Sequence, residues 1–178
     1  MKTLIISIFM FTSLYALEGE SAILITGGPN FSDMGEEEGV LKRAGIGTQV
    51  GYEKGFNDQT DIGLRVNYSK HTIEDIDMQL YGVSLITMYS PYNGDIRPRF
   101  GGLIGIQQGE HLQGEKSGVS NSFFNLGASL QCVFDFKGPQ DIFIEAQPGV
   151  SLGVDPEATI QGFTYINILV GVTFGLAS

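Results

Sequence analysis

The chain has 178 residues, room for one domain of ordinary size, and carries a formal net charge of -10. That balance excludes a nucleic-acid partner, whose phosphates need a basic patch. One cysteine, Cys132, excludes a disulfide framework, and 25 glycines without a collagen period or low-complexity tract call for a structural reason.

Residues 1–16 combine Lys2, an apolar run over 4–11 and shorter residues over 13–16, the three regions of a secretory signal. The run is too short to cross a bilayer as a helix. Residues 1–16 are therefore expected to be an export leader and 17–178 the mature domain; loss of Lys2 takes the net charge from -10 to -11.

From there the dominant signal is two-residue alternation, the period of a strand. Residues 21–28 form a first, weak strand. Ala44, Ile46, Thr48, Val50 and Tyr52 then alternate with Arg43, Gly45, Gly47, Gln49, Gly51 and Glu53; Ile62, Leu64, Val66 and Tyr68 alternate with Gly63, Arg65, Asn67 and Ser69. Residues 78–90 look apolar on both faces, and over 97–108 Phe100, Ile104 and Ile106 oppose Arg99, Gly101, Gly105 and Gln107. Phe124, Leu126, Ala128, Leu130, Cys132, Phe134 and Phe136 oppose Asn125, Gly127, Ser129, Gln131 and Asp135. Ile142, Ile144, Ala146, Val150 and Leu152 oppose Glu145, Gln147, Gly149, Ser151 and Gly153; Ile166, Ile168, Val170, Val172 and Phe174 oppose Asn167, Gly171, Thr173 and Gly175. The expectation is all-β: eight antiparallel strands in an up-and-down transmembrane barrel.

Connections alternate in length. Tight turns are expected over 56–60, 91–95 and 137–140, and longer or acidic loops over 30–39, 73–77, 110–120 and 155–159. Short turns at one end and larger loops at the other are the pattern of an outer-membrane barrel, with both termini at the turn end. Strands of about ten residues tilted by about 40° cross the apolar band, and closure satisfies every backbone group in hydrocarbon. Two aromatic girdles follow from position along the strands. Tyr52, Phe56, Tyr89, Tyr92, Phe100, Phe134, Phe136, Phe143 and Phe174 fall toward the turns; Tyr68, Tyr81, Phe123, Phe124, Phe163 and Tyr165 fall toward the loops.

The other face is rich in Gly, Ser, Asn and Gln, and small residues let a narrow barrel close. Arg43, Arg65 and Arg99 share it with Glu53, Asp135 and Glu145, which implies a buried structural ion-pair network toward the turn end of a side-chain-filled lumen.

With these strands, turns and lumen, residues 17–178 resemble the small OmpA/OmpX-like outer-membrane barrels. The resemblance implies outer-membrane residence, contact with outer-membrane lipids and recognition by the barrel-assembly machinery. Family members commonly end on an aromatic assembly signal; here the run Ile166, Ile168, Val170, Val172, Phe174 supplies Phe174, followed by Gly175, Leu176, Ala177 and Ser178.

Two loop-side features are candidate sites. His71 lies near Ser69 and Glu74, as in a hydrolase triad, and some barrels of this size modify lipid A; a solvated histidine with no catalytic part is the reading adopted. Glu36, Glu37, Glu38, Glu74, Asp75, Asp77, Asp155 and Glu157 form an acidic loop rim, read as solvated and open to a surface partner, with no metal or cofactor expected. A structural or surface-interaction barrel is thus expected, ahead of a lipid-modifying enzyme on the same barrel. A soluble lipocalin-like barrel comes third: its outer face would be Gly, Gln, Asn and Ser with almost no lysine, and no tryptophan is present for the lipocalin motif.

Overall fold

The computed structural model describes residues 20–33, 43–73, 76–111, 120–154 and 162–176. They form β1 Ser21–Ser32, β2 Arg43–Asn57, β3 Thr60–Ile73, β4 Ile76–Tyr89, β5 Ile96–His111, β6 Ser120–Asp135, β7 Gln140–Gly153 and β8 Gly162–Leu176. Each strand is antiparallel to the next and β8 pairs back with β1, so the barrel is closed and has no free edge. Ser21 lies beside Leu176, which puts the start of β1 and the end of β8 at the turn end.

Two tight turns are held by Asx bonds, the Asn57 side chain accepting from the Gln59 amide at 2.9 Å and Asp135 from that of Lys137 at 2.6 Å. At the other end the strands run further than the polar composition suggests. Asn30 extends β1, Ile73 ends β3, Ile76 and Asp77 open β4, and Glu110 and His111 belong to β5. Polar side chains there do not interrupt the ladder, because the backbone is satisfied by the neighbouring strands whatever the side chains face.

Pairing followed around the wall from Ala22 through Glu53, Gly63, Ile86, Leu103, Gly127, Gly149 and Tyr165 returns to β1 at Ser32, ten residues further on. A slip of about 33 Å along the strands against eight interstrand spacings, about 38 Å measured perpendicular to them, inclines the strands by about 41°. Each residue then climbs about 2.5 Å, and about ten residues cross a 25 Å apolar band. Such close coiling uses glycine: a Cβ on Gly101 would lie 1.7 Å from the Thr87 carbonyl oxygen of the adjoining strand.

The alternation sorts the wall into two faces. Ile25, Ile46, Val50, Val66, Ile104, Leu130, Ile144 and Val170 point outward and are 43–70% exposed, a continuous apolar belt. Between them Thr26, Gln49, Arg65, Gln107, Ser129, Gln131 and Glu145 are buried in the lumen. At the turn end Phe56, Tyr89, Tyr92, Phe100 and Phe136 are exposed, and Tyr68 pairs with Tyr81 toward the loops. Four expected girdle residues are corrected: Phe143, Phe123, Phe163 and Tyr165 are buried in the lumen. Each is one or three residues out of phase with the apolar face of its own strand, so height along the barrel alone misassigned it. Met78, Leu80, Ile86 and Met88 are buried there too, which explains why β4 looks apolar on both faces.

Candidate functional site

The lumen is layered. Nearest the turns lies a vestibule of about 330 Å³ lined by Asp61, Arg97, Arg99, Asp135 and Asp141. At its mouth Arg97 Nη2 donates to Asp141 at 2.5 Å.

Above it a buried ion network crosses the barrel. Arg65, on β3, is 2% exposed and stands between two carboxylates: Nη2 donates to Glu53 Oε1 at 2.7 Å, and Nη1 to both oxygens of the fully buried Glu145 at 2.8 Å. Arg99 Nη2 donates to the other Glu53 oxygen at 2.9 Å and to Asp61 at 2.6 Å, while Nη1 donates to Gln131 at 2.7 Å. Glu145 also accepts from Ser129 Oγ and from Gln147 Nε2, the latter at 2.8 Å, and Gln147 bonds to Gln49 across the lumen at 2.7 Å. Buried charges persist only when paired and hydrogen-bonded, and this set meets that condition. Its two cations face three carboxylates, and the surplus anion falls on Asp61, whose side chain is 32% exposed to the vestibule.

Of the six residues expected in the network, the structure brings together Glu53, Arg65, Arg99 and Glu145. Asp135 is a correction: it lines the vestibule rather than the ion network and caps the β6–β7 turn through the Lys137 amide, because it is the last residue of its strand. The Arg43 side chain lies outside the described part. Asp61 and Arg97 were missed, although parity places them on the faces of Arg65 and Arg99.

Toward the loops an apolar cluster of Met78, Leu80, Phe123, Phe163 and Tyr165 fills the lumen, with Phe123 edge-on to Phe163 at 5.2 Å. The Tyr165 ring occupies space vacated by glycine, since a Cβ on Gly149 would lie 2.5 Å from it. His71 is corrected from a solvated loop histidine to a fully buried one, with Nε2 3.3 Å from Ser69 Oγ. It belongs to β3, whose alternation turns it inward with Arg65 and Ser69. Glu74, the third member of the supposed triad, lies outside the described residues, as do Glu36, Glu37, Glu38, Asp75, Asp155 and Glu157 and the side chain of Asp77.

No protein-family model and no curated protein matches this sequence. Solved structures do match it. Neisserial surface protein A superposes with a TM-score of 0.69 at 12% identity, over 88% of this chain and 99% of that one. The attachment invasion locus protein Ail of Yersinia pestis gives 0.53 at 16%, over 90% and 100%. The N-terminal β-barrel domain of Pseudomonas aeruginosa OprF gives 0.53 at 13%, over 89% and 100%.

The chain has the fold of the small outer-membrane β-barrels. The OmpA/OmpX-like resemblance of the sequence holds at that level. At such identities the likeness concerns backbone and topology, so the lumen chemistry rests on this chain's own residues.

Proposed function

We propose that this protein is a closed, non-catalytic outer-membrane barrel that holds its loops at the cell surface for interaction with a partner. The observation that carries the reading is the filled lumen. An ion network and an apolar cluster stand in series along it, and the cavity between them measures only about 30 Å³. The outward belt supplies a lipid-facing surface, and the acidic rim of Glu36, Glu37, Glu38, Glu74, Asp75, Asp77, Asp155 and Glu157 supplies the loop chemistry. Phe174, on the closing strand, is the residue we assign to recognition by the assembly machinery after export by the 1–16 leader.

Catalysis on lipid is the weaker reading, because Ser69 and His71 are turned into the lumen and are 6% and 0% exposed. A lipocalin-like barrel would turn its apolar face inward, the reverse of what Val50 and Arg65 do. The deciding experiment is planar-bilayer recording of the refolded protein. It is expected to show no unitary conductance, and stable open-channel steps from the wild type would overturn the closed-barrel reading. In parallel, overexpression is expected to leave the mass profile of outer-membrane lipid unchanged.

A further inference from the structure

Between the ion network and the apolar cluster the lumen keeps a chamber of about 30 Å³ lined by Asn30, Gly47, Arg65, Asn67 and Asn167. Four buried polar atoms on these residues have no hydrogen-bond partner among the described residues: Asn30 Oδ1, Asn67 Oδ1, Asn167 Oδ1 and Arg65 Nε. Asn30 is 6% exposed, and it faces Asn167 directly across the β1–β8 pairing. Gly47 opens the wall between Asn30 and Ser69; a Cβ there would sit 3.8 Å from the Cβ of each.

The four atoms comprise three acceptors and one donor. A metal cation could satisfy the carbonyl oxygens but not the guanidinium N–H, and an anion could take the N–H but not the carbonyls. Water does both. A buried water needs roughly 10–15 Å³ of this kind of space and two to four polar partners, so the chamber suits about two. We propose that it is a built hydration site, in which ordered water donates to the three asparagine oxygens and accepts from Arg65 Nε, joining the ion network to Asn30, Asn67 and Asn167.

The proposal fixes the sign of a substitution. Gly47→Ala places a methyl in the chamber without a steric clash. If the chamber is dry, the methyl fills a void and also removes the entropic penalty of a strand glycine, so stability rises. If it holds water, the methyl displaces a ligand of atoms that then have none, and stability falls. Gly102→Ala is the control, because a Cβ there meets nothing nearer than 3.8 Å and the residue is exposed on the wall.

The full chain, refolded in detergent micelles, would be studied by magnetic relaxation dispersion of water and by urea unfolding. The wild type is expected to show long-lived internal water that Gly47→Ala reduces, with a lower urea midpoint than Gly102→Ala. Absence of long-lived water in the wild type overturns the proposal. So does a Gly47→Ala midpoint at or above that of Gly102→Ala, or a wild-type midpoint that changes when sodium is replaced by choline, which would point to a cation.

Discussion

Replacing Arg65 by methionine removes the guanidinium but keeps most of the aliphatic volume. Among the described residues it leaves Glu145, which is 0% exposed, with only neutral donors: Ser129, Gln131 at 3.5 Å and Gln147. Breaking one side of a buried pair costs about 3–5 kcal/mol, because the remaining charge has neither water nor a counter-ion. Glu145→Leu should cost a similar amount for the converse reason, although Arg65 then keeps Glu53 at 2.7 Å. The double variant strands neither charge, since Glu53 retains Arg99 at 2.9 Å, so it should unfold within about 2 kcal/mol of wild type. The chain contains no tryptophan, so urea unfolding in lipid vesicles is best followed by far-UV circular dichroism and by migration of unboiled samples on gels. Additive losses in the double variant, or single variants within about 1 kcal/mol of wild type, would refute the pairing as the source of lumen stability.

Two further substitutions probe the lumen and the belt. Gly149→Ala pushes a methyl to within 2.5 Å of the Tyr165 ring and should destabilise the barrel by about 1–3 kcal/mol; combination with Tyr165→Leu should restore much of the loss, as read from urea midpoints. Val50→Arg, at a position 54% exposed near mid-height of the belt, should cost about 2–4 kcal/mol in lipid vesicles. An arginine tolerated there would mean that water, not hydrocarbon, meets this face.

Much of the wall was legible in the sequence. The alternation of Ile62, Leu64, Val66 and Tyr68 with Gly63, Arg65, Asn67 and Ser69 assigned both faces of β3, and the turns expected over 56–60 and 137–140 separate β2 from β3 and β6 from β7. Phe143 and Phe163 stand at girdle height but on the lumen face. A girdle residue must satisfy both height and face, and the phase of their neighbours turns these two inward. Asp61 was legible in the same way but stood at a strand end next to a turn, where a carboxylate ordinarily meets solvent.

The sequence by itself determined that the strands exist, which face of each is apolar, and that arginines and carboxylates share the other face. Period and polarity are local properties, carried by residues a few positions apart. It did not determine that Arg65 meets Glu145, 80 residues away, or that Asp135 is left out of the network. Those contacts depend on the ten-residue shear between Ala22 and Ser32, which adds up pairing registers around all eight strands and so exists only once the barrel has closed.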